Sequence, residues 1–148
     1  MAEIEHIEGG SGIDDRGIVS FVNDFDFHGI KRFYQVYNHD SDVVRAFHGH
    51  KKEVKYVYVP KGIAMIIAVS LNEFQENNKQ PVLNKFILSD RKPSILKIPS
   101  GYANGFRMLE KDSIIQFFSN KTLKESVEDD MRYDWDFFGK KIWETINR

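Results

Sequence analysis

Two histidines one residue apart, with a lysine five residues after the second, carry the most chemical information in this sequence. They are His48, His50 and Lys55 in "RAFHGHKKEVKYVYV". Such a pair is half of a metal site, a pair of imidazole bases, or two hydrogen-bonded residues of a strand. In a strand, alternation puts Lys55 on one face with Val57 and Val59, and Tyr56 and Tyr58 on the other. Two imidazoles and an ammonium against an apolar wall need partners or a ligand. Together they are equipped to move a proton beside a group that develops negative charge.

Such residues must be held by strands. "GIVSFV", "IKRFYQVY", "VVRAFH", "VKYVYV", "IAMIIAV", "LNKFIL", "SILKIP" and "SIIQFF" are short and rich in β-branched and aromatic residues. Turn-forming stretches separate them: "DDRG", "NHDSD", "PKG", "ENNKQP", "SDRKP" and "PSGYANG". Many strands at this spacing predict an all-β fold, an antiparallel sandwich or barrel. Helical spacing occurs only near the end, from about Trp135 to Ile146, so a short C-terminal helix or docked tail is expected. "ESVEDDMRYDWD" reads as a solvated acidic turn followed by aromatic packing, or as a wall of a sugar pocket.

The whole chain sets the outer bounds. Its 148 residues suit one domain (1–148), and 41% hydrophobic content with 14% aromatics, twelve of them Phe, is globular composition. A net charge of −1 with both signs interspersed gives no field for nucleic acid or anionic lipid. With no cysteine there is no disulfide, zinc–thiolate site or thiol nucleophile. The longest apolar run, "GIAMIIAV", is too short to span a bilayer, and the acidic start "MAEIEHIEGGSG" is unlike an export signal. A cytoplasmic protein without a membrane partner is therefore expected.

The double histidine resembles the first motif of the cupin superfamily, G…HxHxxxxExxxxxxG, here His48, His50, Lys55 and Gly62. The second cupin motif, PxGxxHxxxN, is similar to Pro99, Gly101 and Asn104. The resemblance implies a cupin-type antiparallel β-sandwich or jelly-roll barrel. In metal-binding cupins the two His, the Glu and the third His are ligands. Lys55 and Asn104 stand in the latter two places, and an ammonium cannot ligate a cation, so no metal is expected.

Within that superfamily the chain resembles the dTDP-4-dehydrorhamnose 3,5-epimerases from about Asp14 to Gly139. "DDRG" matches a segment whose arginine meets the nucleotide diphosphate, here Arg16, and "VVRAFH" matches the strand with a phosphate arginine, Arg45, and the catalytic histidine, His48. Lys55 lies seven residues before Gly62, as the family's lysine does, and "PSGYANGF" is similar to its "PPGFAHGF" turn. "QFFSN" and "MRYDWD" resemble two further family segments. The related dTDP-sugar 3,4-ketoisomerases resemble this chain in "IKRFYQVY…RAFHGHKK", which adds His50.

What this implies is acid–base chemistry without a cofactor on a nucleotide-linked 4-keto-6-deoxy sugar. His48 removes a proton beside the ketone, Lys55 stands by the enolate oxygen, and His50 adds ketoisomerase character. Arg16, Arg45, Asn104 and Gln116 are the implied substrate contacts. The epimerase tyrosine falls at Gln116, or at Phe117 if the gap is moved, and the aspartate that partners the catalytic His has no counterpart. Tyr34, Tyr102 and Tyr133 are candidate replacement acids. Three functions stay open: an epimerase or a 3,4-ketoisomerase of surface-polysaccharide synthesis, or a cupin that binds nucleotide sugar without turnover. The resemblance also implies a homodimer.

Overall fold

The computed structural model describes residues 2–148. Two five-stranded antiparallel sheets face each other, the all-β sandwich that the spacing of strands and turns predicts. The first has the order β1 (Glu5–Glu8), β9 (Ser94–Ile98), β6 (Lys55–Lys61), β11 (Ile114–Ser119), β4 (Arg32–Tyr37). The second runs β12 (Met131–Arg132), β5 (Val44–His50), β10 (Tyr102–Met108), β7 (Ile63–Ser70), β8 (Asn84–Ser89). Strands β2 (Gly10–Asp14) and β3 (Gly17–Phe21) pair only with each other, as a hairpin outside both sheets.

Alternation fills the space between the sheets. Val57 and Val59 of β6, Ile115 and Phe117 of β11, Ala64, Ile66 and Ala68 of β7 and Phe106 of β10 form the main core. Strand β7 is apolar on both faces because both are covered. Its Met65, Ile67 and Val69 lie under the C-terminal tail, in a second cluster with Phe47 and Trp143. No helix among the described residues is long and apolar enough to cross a membrane.

Two expectations are corrected. The helix lies at α1 (Leu123–Glu128), overlapping the start of the stretch expected to be an acidic turn. The Thr122 side chain accepts from the Glu125 N–H and the Glu125 carboxylate accepts from the Thr122 N–H, which starts the helix. Of the two forms expected for the Trp135–Ile146 stretch, it takes the docked tail, with only a 3-10 turn at Lys141–Trp143. Gly139 at φ +91° interrupts the helical spacing there, and the Trp143 indole donates to the Trp135 carbonyl at 2.9 Å. Arg107 fastens the tail by donating to the Trp143 carbonyl at 2.7 Å.

The second correction is that "YANG", expected to continue the turn "PSGYANG", opens the central strand β10, "YANGFRM". Gly105 is required for packing rather than turning. A Cβ there would lie 2.2 Å from the Ala46 Cβ on the neighbouring strand.

Candidate active site

Strand register brings the chemistry-bearing residues to one end of the sandwich. In the β5–β10 pair Asn104 lies opposite His48, and in the β5–β12 pair Arg132 lies opposite His48 from the other side. The β5–β10 register then shifts by one residue, so that Arg45 lies opposite Phe106. One extra residue in β5 moves Arg45 onto the face of His48, where strict alternation would exclude it. Across the sandwich, Lys55 pairs with Ser119, and Phe117 with both Val57 and Tyr34.

These residues line an open cavity of about 280 Å³. Strand β4 supplies Arg32, Tyr34 and Val36; β5 supplies Arg45, His48 and His50; β6 supplies Lys55; β10 and β11 supply Asn104, Phe106 and Phe117. Helix α1 and the segment after it close one side with Leu123, Ser126, Val127, Asp130 and Arg132. The acidic stretch "ESVEDDMRYDWD" thus contributes a cavity wall.

Behind the lining residues Arg32, His50 and Lys55 lies a carboxylate that the motifs did not single out. Glu53, in the turn between β5 and β6, has a fully buried side chain. His50 Nε2 is 2.9 Å from Glu53 Oε2, Arg32 Nη2 donates to Oε1 at 3.3 Å, and Lys55 Nζ is 4.0 Å from Oε2. The Ser119 and Ser126 hydroxyls also donate to this carboxylate. Burial alone would raise the Glu53 carboxyl. The His50 hydrogen bond, the Lys55 charge and the Ser119 hydroxyl outweigh burial and hold it down to about 2.

Lys55 donates to Asn104 Oδ1 at 3.3 Å and is 5% exposed. Burial pushes its ammonium below the ordinary lysine value, against the pull of Glu53. Asn104 therefore orients the lysine through this hydrogen bond. The His48 imidazole, half-buried in the cavity wall, has no hydrogen bond from the described residues. Burial lowers its pKa first, and the charges of Lys55 and Arg132 lower it further, while Asp130 opposes them. A neutral imidazole with a free nitrogen follows, the state a general base needs.

Of the three candidate tyrosines only Tyr34 lines the cavity. It stacks on Phe117 with ring centroids 5.0 Å apart and lies 4.9 Å from the Arg32 guanidinium carbon. Burial, then the Glu53 charge, raises its phenol well above the ordinary value, so it keeps its proton. Tyr102 packs against the main core, and Tyr133 stacks on Phe74 beneath the tail.

Five of the seven expected site residues meet here: Arg45, His48, His50, Lys55 and Asn104. Gln116 does not. It is next to the inward-facing Phe117, so alternation turns it to the outer face of the sheet, where it donates to Gln35 at 3.0 Å. Arg16 does not line its own chain's cavity either. It sits at the exposed hairpin tip, paired with Asp14 at 2.6 Å. Arg32, Glu53 and Asp130 are site residues that the motifs missed. Arg32 could have been found from parity, since it shares a strand face with Tyr34.

The residues present do not fit a metal ion. Lys55 presents an ammonium, and both His50 nitrogens are already engaged, Nδ1 with the Asp129 carbonyl at 3.0 Å and Nε2 with Glu53. Among the described residues no group of three or more His, Asp or Glu is placed to hold a metal.

The fold is a cupin-type β-sandwich, with a histidine, a buried lysine and a tyrosine around one cavity. Residues 5–142 match the dTDP-4-dehydrorhamnose 3,5-epimerase family, and the chain belongs to that family. It is 28% identical over 126 residues to the spore coat polysaccharide biosynthesis protein SpsL of Bacillus subtilis (strain 168), covering 83% of this chain and 82% of that protein. Among solved structures it is similar to the Bacillus anthracis (strain Ames) dTDP-4-dehydrorhamnose 3,5-epimerase with TDP and pyrophosphate bound. That match has a TM-score of 0.77 at 19% identity, over 98% of this chain and 87% of the other. The sugar 3,4-ketoisomerase QdtA of Thermoanaerobacterium thermosaccharolyticum, in complex with TDP, matches with a TM-score of 0.67 at 18% identity, over 90% of each chain.

Proposed function

We propose that this member of the family enolises a dTDP-linked 4-keto-6-deoxyhexose as an epimerase in polysaccharide biosynthesis. The observation that carries the reading is the His48 imidazole, free of hydrogen bonds, on the same cavity as the buried Lys55 ammonium and the protonated Tyr34. His48 takes the proton from a carbon next to the ketone, and the electron pair moves onto the ketone oxygen. Lys55, oriented by Asn104, stabilises the negative charge that develops there. Tyr34 returns a proton from another side of the ring. Arg45, Arg132 and Arg32 supply guanidinium groups for the diphosphate. The Arg32 Nε, buried and without a partner among the described residues, is a donor left for ligand.

The second reading is 3,4-ketoisomerisation, favoured by the HxH pair. It begins with the same enolate; the proton returns at the former carbonyl carbon, and the hydroxyl proton of the neighbouring carbon passes to the former ketone oxygen, so that the ketone moves. No cofactor takes part in either course.

A homodimer accounts for the hairpin and for Arg16. Strands β2 and β3 expose Ile13, Ile18 and Val19, and Phe21 continues them into an apolar groove with Phe25, Phe27 and Phe118. A second copy seated there would cover this surface and bring Arg16 of one protomer toward its partner's cavity.

Deuterium incorporation from solvent into dTDP-4-keto-6-deoxyglucose, followed by NMR, tests the reading. We expect exchange next to the ketone in wild type and none in His48→Ala, with the product separating epimer from ketoisomer. Saturable binding without exchange would instead identify a cupin that only binds nucleotide sugar. Because His48 is held below the ordinary histidine value of 6.5, exchange should fall off only below that pH. Asp130→Asn removes the charge that opposes the shift and should move the acid limb lower still.

A further inference from the structure

His50 and His48 are two residues apart on one strand and line one cavity, yet their surroundings differ in kind. Each His50 ring nitrogen faces an acceptor. Nδ1 is 3.0 Å from the Asp129 main-chain carbonyl, and Nε2 is 2.9 Å from Glu53 Oε2. A carbonyl oxygen only accepts, so Nδ1 holds a proton. An ionised carboxylate also only accepts, so Nε2 holds another.

Glu53 is ionised by its company. Every other group that reaches it is a donor: Arg32 Nη2, the Ser119 and Ser126 hydroxyls, and the Lys55 ammonium at 4.0 Å. A carboxylic acid proton would meet only the two hydroxyl oxygens, which already accept from Arg32 and from the Lys121 N–H. Glu53 also fixes where the cations stand, since Arg32, His50 and Lys55 reach it from three different strands.

We propose that Glu53 is a positioning residue that holds His50 as a doubly protonated imidazolium and leaves His48 as the one imidazole in the cavity able to accept a proton. The proposal rests on the epimerase/isomerase reading of this site. His50 then contributes a fixed positive charge and two hydrogen bonds. The histidine pair gives one-base chemistry. In epimerisation the returning proton comes from a group other than His50. In ketoisomerisation His48 removes the carbon-bound proton and delivers it to the adjacent carbon, while the hydroxyl proton of the first carbon passes to the former ketone oxygen.

The test is NMR of the chain with 15N-labelled histidine rings, His50 being assigned from the signals lost in His50→Asn. In wild type at neutral pH both His50 nitrogens should show protonated-type shifts, while His48 shows one protonated and one unprotonated nitrogen. Glu53→Gln keeps the shape but offers an amide N–H, so His50 Nε2 should switch to the unprotonated type while Nδ1 stays protonated. An unprotonated His50 nitrogen in wild type would overturn the proposal.

Deuterium exchange gives the second arm. His48→Asn should lose about 100-fold or more, the usual cost of removing a general base, and His50→Asn less than about ten-fold. Equal and complete loss in both variants would also overturn the proposal. The ring-nitrogen spectrum needs no substrate. Failure of wild type to exchange deuterium would therefore remove the proposed reaction and leave the His50 assignment to be decided on its own.

Discussion

The first sheet has two faces built from the same three strands, β4, β6 and β11, and they solve opposite problems. On the inner face at the cavity end, Tyr34, Lys55 and Phe117 come together, with Arg32 and Glu53 behind them. There the chain buries charges, which are costly unless paired and hydrogen-bonded. One Glu53 carboxylate faces Arg32, His50 and Lys55 and accepts from two hydroxyls. On the outer face Phe27, Phe33 and Phe118 spread aromatic surface, and Phe33 is 65% exposed. The inner face buries polar groups, and the outer face exposes apolar ones. The first arrangement suits a small charged ligand, and the second suits another protein surface.

The largest effect should come from unbalancing the inner face. Glu53→Ala leaves Arg32, His50 and Lys55 crowded with no counter-charge, and breaking a buried pair from one side costs about 3–5 kcal/mol. Chemical denaturation should show that loss, with Glu53→Gln losing less. The same carboxylate makes wild-type stability depend on pH. Its folded value, about 2, lies below the ordinary 4.5, so its contribution is complete above pH 4.5 and disappears as the pH falls toward 2. Unfolding midpoints measured across that range should fall in wild type, and the slope should flatten in Glu53→Gln. An equal slope in both would assign acid sensitivity to other groups.

A smaller effect is expected from the outer face and the hairpin. Ile18→Asp with Val19→Asp places two carboxylates on strand β3, where both native side chains are exposed, so the fold of one protomer should survive. If a second copy covers this surface, the variant should weaken the dimer by about ten-fold or more, about 1.4 kcal/mol, in sedimentation experiments. Exchange activity should fall with it, since Arg16 reaches no cavity of its own chain. A wild-type monomer would end the interface reading and leave the hairpin unexplained.

The contrast between the faces also explains what could be read from sequence. Period-two alternation made β4, β6 and β11 legible, and it placed Lys55 with Val57 and Val59 on the inner face, where they are buried. The HxH pair led to one cavity because residues two apart on a strand share a face, and Arg45 of "VVRAFH" joins them through the register shift. Glu53 was hidden for the converse reason. In "HKKEVK" it reads as one member of a solvated charge run, and only the fold brings up Arg32, Ser119 and Ser126 from distant segments. Strand β10 was hidden by composition, because Gly101 and Gly105 in "PSGYANGF" look like turn residues. Gly101 does turn the chain at φ +88°, while Gly105 serves close packing on Ala46.

The smallest effect separates two adjacent residues that motif comparison could not. The family tyrosine falls at Gln116 or Phe117, and strand parity sends them to opposite faces. Phe117 stacks on Tyr34 and is 1% exposed. Gln116 bonds Gln35 on the outside and borders the apolar groove. Gln116→Ala should therefore change stability by no more than about 0.5 kcal/mol and leave the exchange rate as it was. Loss of exchange in that variant would have to come through the groove, as a weakened association between copies, and sedimentation of the same sample would show it. Loss of exchange in an intact dimer would mean that Gln116 reaches substrate, and the division of labour between the two faces would fail at that position.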